Sequence, residues 1–276
     1  MQQQLKLYHY TDQAGFLGII EEKELWATKI QYLNDNKEFV LAIEIASELL
    51  TKKLASASSD INKEIISDVL ENILLNSVES VFVCSLSEKD DSLSQWRGYS
   101  KGMAGYAIGF DAALLSNMAN ENGCELKQCI YDLQKQKDEI QKVIEHSLAG
   151  HYVFPDEFKD EEKKEYIKKA LAGTLSRELA LLFPLIKHES FKDEAEWRII
   201  GNFIKLHHAL CFRPGNSTLI PFIKIKSANG VTNAIYKVTI GHTPNKELAL
   251  SATRDFLRTR NVNALINESL IPFRNW

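Results

Sequence analysis

Apolar positions recur along this chain with two periods. Ile61, Ile65, Ile66, Val69, Leu70, Ile73 and Leu74 fall at helical spacing and form one stripe, and Glu38–Leu54 carries the same period. Thr11 and Asp12 are placed to cap a short helix running to about Glu22. Short β-branched and aromatic runs predict strands at Leu5–Tyr10, Leu25–Thr28, Val81–Leu86, Met103–Phe110, Gln128–Leu133, Glu196–Phe203, Leu219–Ile225 and Ala234–Ile240. The stretch from Gln134 to Lys187 reads as mostly helical, with the charged block Lys159–Lys164 as a solvated helix start. A further helix is expected near Asn245–Arg260, and the chain ends on the apolar runs Ala264–Ile266 and Leu270–Phe273. Strands and helices mix without a regular βαβ alternation, which favours an α+β fold with a mixed or antiparallel central sheet. We read one catalytic-type domain over residues 1–276, with helical insertions at about 38–78 and 134–187.

Composition narrows the function classes. The 276 residues are 45% hydrophobic and 25% charged, the make-up of an ordinary globule. The net charge of −4 argues against coating nucleic acid through bulk charge, though it leaves room for a local basic groove. Cys84, Cys124, Cys129 and Cys211 lack the spacing of a zinc knuckle and read as reduced thiols. The first ten residues lack the layout of a signal peptide, and no apolar run approaches the roughly 18 residues of a bilayer span. A soluble, cytoplasmic protein without membrane contacts is the expectation.

The strongest chemical signal is Lys192-Asp193-Glu194-Ala195-Glu196-Trp197-Arg198. In a strand, Glu194 and Glu196 project from one face and Ala195 and Trp197 from the other. Two like charges side by side raise at least one pKa, which often marks chemistry. The plainer alternative is a solvated strand end whose acids face Lys192 and Arg198. In Tyr8-His9-Tyr10-Thr11, alternation sets the tyrosines on one face and His9 with Thr11 on the other; the ring is a ribose or phosphate ligand, or simply a hydrogen-bonded histidine at a sheet edge. Ser85 and Ser87 share a face at a strand end, where hydroxyls orient a carboxylate or hold a sugar, or merely form a turn. In Gln95-Trp96-Arg97-Gly98-Tyr99, the aromatics suit a flat ring and Arg97 a phosphate, unless they pack a short helix into the core. Asn34-Asp35-Asn36-Lys37-Glu38 is a turn and helix cap that lacks the oxygen spacing of a calcium loop. Walker, Rossmann, zincin and nucleophile-elbow patterns do not occur.

Taken in order, Tyr8-His9-Tyr10, Tyr32-Leu33-Asn34-Asp35-x-x-Glu38, Cys84-Ser85-Leu86-Ser87, Gln95-Trp96-Arg97-x-Tyr99 and Phe191-x-x-Glu194-x-Glu196-Trp197-Arg198 resemble the DUF2971 family of uncharacterised bacterial proteins over about residues 7–242. A more distant likeness supplies a mechanism. ADP-ribosyltransferases of the toxin type carry an Arg or His on the first strand, then Ser-x-Ser, then Glu-x-Glu, and His9, Ser85-Leu86-Ser87 and Glu194-Ala195-Glu196 repeat that order. His9 stands where the arginine-directed enzymes usually have Arg, and the long gap from Ser87 to Glu194 requires an insertion.

The resemblance implies an ADP-ribosyltransferase-like sheet and an NAD-consuming ADP-ribosyltransferase or NAD glycohydrolase, by analogy a toxin or phage-defence effector. Cleavage of the nicotinamide–ribose bond passes through an oxocarbenium-like cation that a carboxylate stabilises. On this likeness Glu196 takes that role, Glu194 positions or activates the acceptor, and Ser85 orients Glu196 with Ser87 in support. His9, Tyr10 and Thr11 lie along the adenosine-side ribose or pyrophosphate, Trp96 or a tyrosine such as Tyr99 stacks on nicotinamide, and Arg97 meets a phosphate. NAD is the substrate, no metal is needed, and the implied partners are a macromolecular acceptor (protein or nucleic acid) and an antitoxin or defence-system partner. Two other classes fit the residues: a metal-dependent nuclease or phosphodiesterase using Asp35, Glu38, Asp90, Asp91, Glu194 and Glu196, and a non-enzymatic sensor or interaction module.

Overall fold

The computed structural model describes residues 4–33, 36–78, 81–100, 104–149, 160–202, 210–215, 217–228 and 230–272. In chain order the elements are β1 (Lys6–Thr11), α1 (Gln13–Glu22), β2 (Leu25–Lys29), α2 (Asn36–Ser56), α3 (Asp60–Val78), β3 (Val81–Ser87), α4 (Leu93–Tyr99), β4 (Tyr106–Asp111), α5 (Ala112–Glu121), β5 (Cys124–Gln128), α6 (Leu133–Leu148) and α7 (Asp160–Leu182). They continue with β6 (Glu196–Asn202), β7 (Leu210–Pro214), β8 (Leu219–Ile225), β9 (Ile235–Ile240), α8 (Lys246–Thr259) and β10 (Leu265–Glu268). The fold is α+β, built on an open, mostly antiparallel sheet with the strand order β10-β9-β4-β1-β3-β2-β8-β7 and with β6 joining β3 to β5.

The sheet forks at β3. One edge of β3 pairs with β6 along its whole length, from Val81↔Asn202 to Ser87↔Glu196. The other edge is shared, since β2 pairs at Phe82 and Val83 while β1 pairs at Ser87. One limb therefore runs through β1, β4, β9 and β10, and the other through β2, β8 and β7.

Partners in register point to the same side of a sheet, so the pairing defines two faces. The back face carries Leu7, Phe82, Cys84, Ile108, Phe110, Ile199, Ile223 and Val238, buried against Phe16 and Ile20 of α1, Leu115 and Met118 of α5 and Leu257 of α8. On the front face Val81, Val83 and Ile200 pack with Ala180 of α7 and Leu185. Beyond them, Ala42, Ala46 and Leu50 of α2, Ile65, Ile66 and Val69 of α3, Ile140 and Ile144 of α6 and Leu171, Leu175 and Leu179 of α7 make a second core. Helices α2, α3, α6 and α7 thus pack together as one four-helix layer. Further along the front face, Tyr8, Tyr10 and Ala107 bury Trp96 of α4.

Local chemistry fixes the element ends. The Asp12 carboxylate accepts from the Gly15 amide at 2.8 Å and caps α1. Asp12→Ala is expected to lower stability by about 1 kcal/mol, read as a shift in urea midpoint. The strand expected at Gln128–Leu133 is not formed; Asp132 instead caps α6 through the Lys135 amide, and Ile130 makes only a single bridge to Ile186. At the chain end, Leu265–Glu268 is the strand, and Leu270–Pro272 lies beyond it. Met103, Phe203 and Phe273, at the ends of expected elements, fall outside the described residues.

Candidate functional site

The paired carboxylates do not alternate along a strand. Glu194 ends a 3₁₀ turn over Glu189–Glu194, Ala195 takes a left-handed conformation (φ 43°, ψ 51°), and Glu196 opens β6. The kink re-aims Glu194, and both carboxylates converge on one ammonium group: Lys187 Nζ lies 2.6 Å from Glu194 Oε2 and 2.6 Å from Glu196 Oε2. Arg198 donates from Nε to Glu196 Oε1 at 2.7 Å, from Nη2 to Glu196 Oε2 at 3.0 Å, and from Nη1 to the Pro184 carbonyl at 2.6 Å. The Glu196 amide donates to the Tyr131 hydroxyl at 2.9 Å.

Burial separates the two acids. Side-chain exposure is 2% for Lys187, 3% for Arg198 and 6% for Glu196, but 26% for Glu194. The expected mutual rise in pKa is therefore overturned at Glu196. Burial pushes its carboxyl up, but Arg198 and then Lys187 outweigh that and hold it at about 2. Lys187 is likewise held protonated, burial opposing and Glu196 prevailing. The plainer alternative correctly named Arg198, but the second cation is Lys187; Lys192 is exposed.

This arrangement has a consequence for acid stability. The folded pKa of Glu196 lies below its ordinary value of 4.5, so its contribution is complete above about pH 4.5 and is lost as the pH falls toward 2. A depression of that size corresponds to about 3 kcal/mol. Urea titrations from pH 5 down to pH 2.5 should show the stability gap between wild type and Glu196→Gln closing by about 2 kcal/mol, most of that contribution. A gap that stays constant with pH would exclude Glu196 as the titrating group.

The serines divide in role. Ser87, 1% exposed, donates to the Glu194 carbonyl at 2.6 Å and accepts from the Lys89 amide at 3.1 Å. Together with the Glu88 amide on the Ala195 carbonyl at 3.0 Å, it staples the end of β3 to the kink. Ser85 sits opposite Arg198 on the same face, half-buried, and its hydroxyl makes no hydrogen bond to a described residue.

His9 belongs elsewhere. In register it opposes Ile108 on the back face, and its Nδ1 lies 3.8 Å from Cys84 Sγ and 2.9 Å from the Ser85 carbonyl. The imidazole fills the fork, taking a carbonyl that β1 no longer reaches. Burial lowers its pKa against the opposing effect of that carbonyl, and a neutral ring must carry its proton on Nδ1 to donate there. Thr11 shares the back face, and a Cβ on Gly15 of α1 would run into its Oγ1. Burial also raises the Cys84 thiol to about 12, so the His9–Cys84 contact is not an activated nucleophile.

The aromatic candidates are tied into the fold. Tyr10 donates to the Lys89 carbonyl at 2.8 Å and accepts from the Ser92 amide at 3.1 Å. Trp96, 1% exposed, packs edge-on against Tyr10 and His242 and donates to Asp91 at 2.7 Å. Arg97 and Tyr99 lie on the exposed side of α4. On the far limb, beyond Trp96, a cavity of about 630 Å³ opens at the carboxyl ends of β9 and β10, lined by Gly241, His242, Thr243, Lys246, Ser269 and Ile271 among others. Among the described residues no three acidic, histidine or cysteine side chains cluster as metal ligands. Asp90 pairs with Lys237, and Asp91 holds Trp96, Ser269 and the Leu270 amide. Asp35 and the side chain of Glu38 lie outside the described residues.

Comparison with known proteins bears on the middle of the chain. The model of the family described as "Protein of unknown function (DUF2971)" matches residues 95–199. That stretch is DUF2971-like. The DUF2971-like segment runs from α4 through Lys187 and the kink to the middle of β6, and so holds both acids and both cations of the cluster. It is narrower than the likeness over residues 7–242, and the His9 and Ser85 motifs fall outside it. No curated protein and no solved structure gives a significant match. No helix among the described residues is long and apolar enough to cross a membrane.

Sequence reading missed Lys187, Tyr131 and the cavity at the ends of β9 and β10. The available signal for Lys187 was a lone cation ending the apolar run Leu179–Ile186, just ahead of the acids.

Proposed function

We propose that this chain consumes NAD, as an ADP-ribosyltransferase or NAD glycohydrolase, with Glu194 as its reacting carboxylate. One observation carries the reading: three short motifs, far apart in sequence, lie on the adjacent strands β1, β3 and β6, with Tyr8, Ser87 and Glu196 in a single row beside the fork. Their order matches the ADP-ribosyltransferase pattern, and Tyr8, Ser87 and Glu196 share one face, whereas His9 points to the other face and takes no part in the site.

The geometry redistributes the roles. Glu196 is saturated by Lys187 and Arg198, so it serves as a positioning residue that keeps the cations in place. Glu194 is the acid with an open side, its main chain stapled by Ser87. As the bond from ribose C1′ to nicotinamide breaks, its electron pair leaves with the neutral nicotinamide and positive charge builds on the ribose. Glu194 offers that charge a fixed anion and then takes the proton of the attacking water or acceptor hydroxyl. The free hydroxyl of Ser85 is a partner for a ribose hydroxyl. A cytoplasmic effector acting as a toxin or in phage defence, with a macromolecular acceptor and a cognate antitoxin or defence partner, belongs to the same proposal.

Incubation with NAD and cell extract, following free nicotinamide, tests it. The wild type is expected to release nicotinamide and Glu194→Gln to lose that activity while staying folded. Zero release by both, with protein and nucleic-acid acceptors present, would overturn the reading.

A further inference from the structure

The limb β2–β8–β7 places an open aromatic ring among cations on the front face of the sheet. Trp26 on β2 stacks on Phe222 of β8, with ring centroids 4.3 Å apart and planes inclined by 28°. Phe222 is buried, but Trp26 keeps 39% of its surface exposed. The indole nitrogen donates to Glu24 Oε1 at 2.8 Å, which fixes the ring's orientation. Lys224 and Lys226 flank it, both paired with the buried Glu24 at 2.8 and 3.0 Å. On the edge strand, Arg213 reaches across to donate to Thr28 Oγ1 at 3.1 Å, while its buried Nε has no partner. Among the described residues no carboxylate pairs with Arg213, while Glu24 pairs with both lysines and Glu22 adds a second negative charge near Lys224. The patch is thus locally positive on a chain whose net charge is −4.

We propose that this face binds a single-stranded polynucleotide, one base stacking on Trp26 and the flanking phosphates meeting Arg213, Lys224 and Lys226. A pre-oriented aromatic with one covered and one open side is a platform for a flat base, and Arg and Lys alongside supply the backbone contacts. Arg213, which no carboxylate among the described residues neutralises, offers its charge to a phosphate through its terminal nitrogens, its Nε being buried. A duplex buries its base faces in its own stack and offers Trp26 nothing, so single strands are the occupant this chemistry selects. The inference stands apart from the NAD reading, since binding is measured without NAD and either can fail alone.

The test is fluorescence anisotropy of labelled uridine and thymidine oligomers of about 20 nucleotides at about 50 mM salt, against a duplex of the same length. The wild type is expected to bind at least one single strand more tightly than the duplex. Arg213→Gln should weaken binding about tenfold and flatten the salt dependence by roughly one counterion. Trp26→Ala should also cost about tenfold and Trp26→Phe much less. Lys142→Gln, a surface cation on α6, should change nothing. Because Trp26→Ala also removes the Phe222 stack, its thermal midpoint is measured alongside, and Arg213→Gln on the edge strand decides the matter if that variant is unfolded. No binding by the wild type, a duplex preference, or an equal loss in Lys142→Gln and Arg213→Gln would overturn the proposal.

Discussion

Lys187→Met lowers folding stability by about 3–5 kcal/mol, although methionine fits the same volume. Among the described residues Lys187 is the group bonded to both carboxylates, at 2.6 Å each. Its removal leaves Glu196 with Arg198 alone and brings Glu194 and Glu196 into direct repulsion inside a site where Glu196 is 6% exposed. A buried charge stripped of one partner costs far more than the pair itself contributes, because desolvation of the remaining ion is no longer offset. The sign of the pH dependence also changes. Without Lys187 one acid can shed its charge by taking a proton, so the variant loses less at pH 4 than at pH 7. Chemical denaturation at both pH values checks this. A cost below about 1 kcal/mol at pH 7 would mean that water reaches the cluster freely.

How much of this could be read from sequence depended on whether the determinant was local. The stripe from Ile61 to Leu74 predicts α3 because a surface helix records its burial in its own period, and Ile65, Ile66 and Val69 are indeed buried. β3, β8 and β9 are legible for the same reason, being apolar on short runs. β5, Cys124-Glu125-Leu126-Lys127-Gln128, is polar and was missed; it is a strand because β6 offers it an edge, a fact recorded in β6 and not in β5. β7 is missed likewise, lying against β8.

The site was legible in its acids and not in its geometry. A pattern of alternation assumes an unbroken strand, and Ala195 breaks it with a conformation that a non-glycine residue rarely adopts, at a cost on the order of 1 kcal/mol. What holds it there is non-local: the Glu88 amide on its carbonyl and the shared Lys187. Such a kink has no signature in composition or period. His9 shows the opposite case. Alternation alone put it on the face opposite the tyrosines, which the structure bears out through Ile108 and Cys84. The same alternation sets it across the sheet from Glu196, so a single pocket holding both groups was excluded once the register was known.

That separation of acids sets the sharpest functional expectation. If Glu194 is the reacting group, Glu194→Gln lowers kcat for nicotinamide release by about 100- to 1000-fold, the usual cost of removing a charge that acts on the transition state. KM for NAD changes less than kcat, because the ring already carries the positive charge in bound NAD and the ribose beside Glu194 gains it only as the glycosidic bond opens. Stability changes little as well, since Glu194 is partly solvated and Lys187 keeps Glu196. Glu196→Gln behaves differently: it loosens Lys187 and Arg198 together, lowers stability measurably, and reduces activity in proportion to the misplacement of Glu194. Glu194→Asp separates chemistry from charge, retaining the anion but withdrawing it by about 1.5 Å, and should recover part of the rate. Equal loss in the Glu194 and Glu196 variants, with unchanged stability in both, would return the reacting role to Glu196 and require that the ion cluster open when NAD binds.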